Sequence, residues 1–470
     1  MFFLTLVRRT SGITQAYESF RRHHGRSETR SSPLPKLSVF KKLLSLTAVL
    51  LALHLSTAAQ AAGETPLALS LESAQSIARQ QNYDLKLSLI SVSRSQANVD
   101  IAQAPPNPVV SLSTSGLRLG NNGSGSIWNK RIDSVVSVNQ LIERGGKREL
   151  RTENAQQQLR AARYDRNEVE RQVSLLVAYA YIDLKTAQDK HAGAVDTAQL
   201  LDAIFQAVRL RQSAGDVAGA DVERVKVDLL RARNEVDAAS AELTRSRRAL
   251  GLLLGMTESV DTLQASDPWP AIEIADMIQA TSVSDIINQR PDVRASAARL
   301  QASDSAFQYA NALRVRDVSI GMQYEHYPQP GDAAVGNGSS IGFSFQFPLF
   351  VRNYYQGEIL AADVDRGAAE ENLKRSRTLA EHDIAGARSA LMNAAERVRR
   401  NRDELLKAAE KAARSAEFAY RNGAIGVMDV LDARRTLKAT RLDALAAQAE
   451  FSKAMAAWSA ATSIIYEAAE

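Results

Sequence analysis

The sequence predicts a mainly α-helical chain with a small β part, built from two copies of one unit. Three observations carry this expectation: long spans without proline, a repeat held at one constant offset, and paired stretches of period-two alternation. Aromatic residues make up only 6% of the 470 residues, while alanine is abundant, a composition that favours long helices over one bulky core.

Proline placement sets out the helices. None of the twelve prolines lies between Pro108 and Pro268, and none follows Pro348. Proline breaks helix interiors, so both spans permit uninterrupted helices. In the first span, Val169, Val173, Leu176, Ala180, Leu184 and Ala187 recur at steps of three and four, one apolar stripe on an amphipathic helix. One helix over Lys147–Arg211 would run roughly 97 Å at 1.5 Å per residue. A compact globule has no place for such a rod, which points to a coiled coil or a barrel of helices.

The repeat is read from two pairings. "QQNYDLKLSL" at Gln80 aligns with "NQRPDVRASA" at Asn288, which sets Asp84 against Asp292. "QSAGDVAGADVERVKVDLLRAR" aligns with "YRNGAIGVMDVLDARRTLKAT", which sets Gly215 against Gly423 and Asp221 against Asp429. Every pair is 208 residues apart, so the chain reads as two copies of a unit of that length. Each copy reads helix, strand, loop, strand, long helix, turn, helix. The expected divisions are an N-terminal extension with a signal peptide (1–61), a first repeat (62–267) and a second repeat (268–470). The first repeat holds a β-hairpin over 109–143 and a helical tip near 213–221; the second holds a β-hairpin over 317–350 and a tip near 421–429.

The leader accounts for the basic balance of the chain. Residues 1–61 carry nine Lys/Arg against Glu18 and Glu28, a local charge of +7, so the overall +5 leaves −2 for the remainder. Lys41-Lys42, the short apolar run Leu43–Leu55 and the small residues Ala59 and Ala61 make a secretory signal cleaved after Ala61. No nucleic-acid partner is expected of the rest. Cysteine is absent, so disulfides and a lipid on cysteine are ruled out.

The strands alternate with period two. Val318, Ile320, Met322 and Tyr324 alternate with Ser319, Gly321 and Gln323; Ile341, Phe343, Phe345 and Phe347 alternate with Gly342, Ser344 and Gln346. "NPVVSLSTS" and "RIDSVVSVN" repeat the pattern more weakly in the first copy. The glycine-rich links "GLRLGNNGSGSIWNK" and "PQPGDAAVGNGSS" read as hairpin tips, with Asn122 and Asn337 each starting an Asn-Gly turn. A sheet with one greasy face and one small polar face suits a barrel with lipid outside and water inside. Four strands cannot close such a barrel. Three chains would supply twelve, the smallest number that leaves a conduit, so the expected assembly is a homotrimer.

A search for catalytic chemistry returns nothing. His191, His326 and His382 stand on different elements, and no metal-ligand spacing occurs. "GGK" at Gly145 lacks the first glycine and the Ser/Thr of a phosphate loop, since Leu141 and Arg148 occupy those positions. No enzyme activity, metal site or cofactor is expected. The joins "VNQLIERGGKREL" and "FSFQFPLFVRNYYQGEIL" instead change the chain from strand to helix. Gly145 and Gly146 are expected to supply backbone freedom there, with Pro348 ending the strand and Gly357 serving the second join.

The tip turns are the remaining candidates. Gly215 and Gly423 fit helix C-caps, and with Gly219 and Gly426 they mark the tip turns. Asp221 and Asp429 fit an N-cap or first turn. Asp432, one turn beyond Asp429, would share its face. A solvated first turn and a cation-attracting ring of six carboxylates in a trimer both account for that pair.

With these motifs in view, residues 66–466 resemble the TolC family of outer-membrane efflux channels. Within that family, "NQLIERGGKRELR" and "FPLFVRNYYQGEI" resemble the outer-membrane components of heavy-metal (cobalt-zinc-cadmium type) RND efflux systems. The resemblance implies a trimeric twelve-stranded transmembrane β-barrel continued by a long periplasmic α-helical barrel. It also implies an outer-membrane location, a periplasmic adaptor and an inner-membrane RND pump as partners, and a passive duct for divalent metal cations opened by adaptor contact at the tips. It further implies a periplasmic gate in which Asp429 and Asp432 form the acidic ring and Tyr420 pairs with Asp221. The family's arginine in that gate is Ile425 here. Two alternatives stand beside this reading: the same channel exporting organic drugs or secreted protein, and a soluble periplasmic coiled-coil scaffold.

Overall fold

The fold is described from a computed structural model, over residues 67–115, 132–272, 283–327 and 338–462. The chain divides into units 1–65 and 66–470, and every described residue lies in the second. The expected signal peptide and the turns at Asn122 and Asn337 lie outside the described residues.

The first copy runs β1 (Leu67–Leu69), α1 (Leu71–Gln81), α2 (Tyr83–Gln103), β2 (Val109–Ser115), β3 (Asp133–Ile142), α3 (Lys147–Ser213) and α4 (Gly219–Leu253). The second runs β4 (Leu263–Ala265), α5 (Val283–Gln289), α6 (Pro291–Ala312), β5 (Val318–Tyr327), β6 (Gly338–Gln346), α7 (Gln356–Arg400), α8 (Leu406–Arg421) and α9 (Val427–Thr462). The element orders match, except that the counterpart of α3 is divided into α7 and α8. The splits of the leading helices also fall at equivalent positions. Asn82 caps α2 through the Asp84 and Leu85 amides, while Arg290 precedes Pro291 and pairs with Asp292 and Asp383.

α3 is a single helix of 67 residues, about 100 Å long. Its apolar stripe differs from the expected one at a single step: Leu176 is 49% exposed, and Val177 and Tyr181 are buried in its place. Stepping 173, 177, 181, 184 keeps the contact line facing α1 and α4, where Ala74, Ala78, Leu250 and Leu254 complete a core. Two further features escaped the sequence. β1 and β4 form a two-stranded parallel sheet that joins the copies. Asn401–Leu405 form a π-helical turn between α7 and α8, inserted without any proline.

The Tyr181 hydroxyl fastens the small sheet to α3. It donates to the Leu69 carbonyl at 2.9 Å and accepts from the Ser266 and Asp267 amides at 3.1 and 3.0 Å. Burial raises the pKa of this phenol.

The four long strands form one antiparallel sheet in the order β2-β3-β5-β6. Its register lines up rows of apolar residues on one face: Val110-Val138-Met322-Phe343 and Leu112-Val136-Tyr324-Ile341. On the other face Ser111-Ser137-Gln323-Gly342 form a polar row. The apolar face is bare: Leu112 is 73% exposed, Ile341 68% and Phe343 74%. Among the described residues no helix covers it.

Candidate functional site at the helical tips and the seam

The α3–α4 and α8–α9 turns share one backbone device. Asp216 N–H donates to Arg211 C=O and Gly215 N–H to Gln212 C=O, at 3.0 and 2.9 Å. In the second turn Ala424 N–H donates to Ala419 C=O and Gly423 N–H to Tyr420 C=O, at 2.9 and 3.0 Å. Gly215 (φ 86°) and Gly423 (φ 74°) take the left-handed conformation that closes each helix. Gly219 opens α4, and Gly426 immediately precedes α9. The two tips pack together through Val208, Val222, Val225 and Leu431, flanked by Phe205 and Met428. Above them α9 and α4 are tied by Arg435–Asp228 at 2.5 Å and by Lys438–Glu235.

Asp429 and Asp432 lie exposed in the first two turns of α9. Asp429 Oδ2 accepts from the Gly426 amide at 3.1 Å, so it caps the helix. The Asp432 carboxylate has no ion pair among the described residues. Tyr420 and Asp221 do not meet as the resemblance implied. Arg211 Nη1 donates to the Tyr420 hydroxyl at 3.0 Å, and its guanidinium sits 5.3 Å from the centre of the ring. Asp221 turns instead to Arg224, one helical turn on, at 3.5 Å. A guanidinium on the end of α3 takes the phenol first, because its planar fork can both stack and donate. Sequence reasoning missed Arg211. Its only signal was a basic residue in the last turn of a helix ending beside Tyr420.

At the seam, Gly145 (φ 74°) and Gly146 (φ 70°) both adopt the left-handed conformation, and Gly146 precedes α3. A Cβ on Gly145 would lie 2.8 Å from Val315 Cβ, so the position also requires close approach. Lys147, only 6% exposed, donates to Val315 C=O at 2.7 Å and to Asp317 Oδ2 at 2.9 Å; Arg144 N–H donates to Asp317 Oδ1 at 2.9 Å. Lys147 thereby locks the helix to the strand that follows Val315. Pro348 lies two residues past the end of β6. Gly357 does not have the expected geometry: it is the second residue of α7, and the left-handed residue at this join is Tyr355 (φ 63°). Tyr355 N–H donates to Asn353 Oδ1, and its ring packs edge-on against Phe350 at 5.3 Å.

Among the described residues no group of three or more His, Asp or Glu is placed to hold a metal ion, and no helix is long and apolar enough to cross a membrane. A strand sheet with a bare apolar face, running through a locked seam into helical hairpins about 100 Å long, defines the protomer of a barrel-and-tube channel. The chain belongs to the outer membrane efflux protein family, whose pattern matches residues 74–256 and 282–462, two stretches that start 208 residues apart. It is 24% identical over 379 residues to the cobalt-zinc-cadmium resistance protein CzcC of Cupriavidus metallidurans, covering 80% of this chain and 85% of that protein. It is 26% identical over 388 residues to the pyoverdine export outer membrane protein OpmQ of Pseudomonas putida, covering 77% and 78%. A solved structure of CusC superposes with a TM-score of 0.70 at 19% identity, over 83% of this chain and 91% of that one. The fold is thus that of an outer-membrane efflux channel extending into the periplasm.

Proposed function

We propose that three copies of this chain assemble into the exit duct of a tripartite efflux pump that carries divalent heavy-metal cations. The bare apolar face of the four-stranded sheet supports the assembly. One chain cannot close a barrel with it, whereas three supply twelve strands and cover no lipid-facing surface with protein. The long hairpins descend from that barrel, and their tips present the turns at Gly215, Gly219, Gly423 and Gly426 to a periplasmic adaptor and, through it, an inner-membrane pump. Asp429 and Asp432 from three chains gather at the entrance as a ring that concentrates cations. The similarity to CzcC supports the choice of cargo. The duct works by passage rather than catalysis, and selection of cargo belongs to the pump.

Planar-bilayer recording of the protein extracted from outer membranes tests the assembly. Cation-selective steps blocked from the tip side by divalent ions are expected. A monomer that fractionates with soluble periplasmic protein and gives no conductance would return the chain to the scaffold reading.

A further inference from the structure

Directly below the apolar rows lies a basic cavity of about 440 Å³, lined by Arg144, Arg314, Val315, Arg316, Phe350 and Tyr354. Ile142 pairs with Val318 in the last row of the sheet. Two residues beyond Ile142 stands Arg144, and two residues before Val318 stands Arg316, so the apolar rows end on guanidinium groups. The rows from Val318 to Tyr324 span about 20 Å along the strand, or about 15 Å of height at the tilt of barrel strands, which fits inside the apolar band of an outer-membrane barrel. Ending these rows on arginines puts the cavity at the periplasmic headgroup level.

The described residues do not neutralise the charges around the cavity. Arg144, Arg314 and Arg316 have no ion pair among the described residues, and the Arg316 guanidinium lies 5.4 Å from the centre of the Phe350 ring. Their sequence neighbours Glu143 and Asp317 are engaged elsewhere: Glu143 by Arg151 at 2.7 Å, and Asp317 by Lys147 and the Arg144 amide. Three guanidinium groups with aromatic rings, opening next to a lipid-facing surface, match a phosphate ester attached to acyl chains. Guanidinium forks bind phosphate oxygens in pairs, and the rings sit at the level where lipid changes to water.

We propose that this cavity binds the phosphate headgroup of an anionic phospholipid of the periplasmic leaflet, with the acyl chains lying on the Ile142, Val318 and Phe347 rows. The bound lipid fills the basic gap between barrel and helices and braces the seam against tilting. The proposal rests on the apolar face being the membrane face.

The test is native mass spectrometry of the protein from outer membranes, titrated with phosphatidylglycerol or phosphatidylcholine. Each arginine near an anionic headgroup contributes about 1 kcal/mol, so the triple variant R144Q/R314Q/R316Q is expected to retain phosphatidylglycerol roughly 100-fold less tightly. The wild type is expected to prefer phosphatidylglycerol to phosphatidylcholine, and inorganic phosphate is not expected to displace it. Equal retention by the variant, no preference between the lipids, or full displacement by inorganic phosphate would each overturn the proposal. R316Q alone serves if the triple variant gives no folded oligomer. Recovery of wild type and variant in the outer-membrane fraction keeps the membrane reading separate from the lipid site.

Discussion

Replacing Arg211 by alanine should loosen the tip without unfolding it. The side chain makes two contacts with Tyr420, the 3.0 Å hydrogen bond and the 5.3 Å stacking contact, and both are partly open to water. An exposed hydrogen bond of this kind contributes about 0.5–1 kcal/mol, and an exposed cation–π contact about 0.5–1 kcal/mol. Sharing one guanidinium, the two together come to about 1–1.5 kcal/mol per protomer. If three tips open as one, the closed arrangement loses about 3–4.5 kcal/mol, a shift of roughly 150- to 2,000-fold in the open-to-closed ratio. Single-channel recording reads this directly as open probability. Tyr420→Phe keeps the stacking and should give a smaller increase, while Arg211→Lys should fall between. Arg209→Ala is the control, since Arg209 has no ion pair or ring contact among the described residues. An Arg211→Ala channel that opens no more often than wild type, or no more often than Arg209→Ala, would refute a role for the Arg211–Tyr420 contact in holding the tip closed.

Asp429→Asn with Asp432→Asn should reduce divalent block and cation preference in the same recordings, and unchanged selectivity would remove the pair from the entrance. Because Asp429 also caps α9 through the Gly426 amide, its single replacement should cost about 0.5–1 kcal/mol in tip stability, whereas Asp432→Asn should cost almost nothing. Tyr181→Phe leaves the Asp267 amide without its partner and should destabilise the protein by about 1–3 kcal/mol, read as a lower temperature for loss of the oligomer on unheated gels. Burial raises the Tyr181 pKa, so its contribution is complete below the ordinary tyrosine value of about 10 and declines as pH climbs through that range. Melting temperature between neutral and alkaline pH should therefore fall more steeply in wild type than in Tyr181→Phe. Gly145→Val places a branched side chain at φ 74° and 2.8 Å from Val315, and should lower the yield of assembled protein in outer membranes sharply; Gly357→Ala, at a helical position with open space, should not.

What the sequence made legible follows from periodicity and from backbone constraint. The α3 rod, the four strands and the paired turns at Gly215 and Gly423 repeat at one offset, and glycine is the residue a left-handed C-cap favours. Features that depend on a partner far along the chain were hidden. Lys147 could be read as a lock only with Asp317, 170 residues away, beside it. Arg211 took the place expected for Asp221 because two helix ends meet there, and no spacing encodes that meeting. The left-handed residue of the second join is Tyr355, a residue type that does not mark such a position, whereas the nearby Gly357 is helical. The three-residue strands β1 and β4 are too short for alternation to show, and the π-helical turn carries no residue that marks it.

The central claim, a duct for divalent metal cations, is tested most directly by growth of a strain lacking this gene on zinc, cobalt and cadmium, beside a panel of organic inhibitors and a complemented strain. Sensitivity confined to the metals and reversed by complementation is the expected result. Unchanged metal tolerance together with new sensitivity to organic compounds would contradict it and assign the channel another cargo.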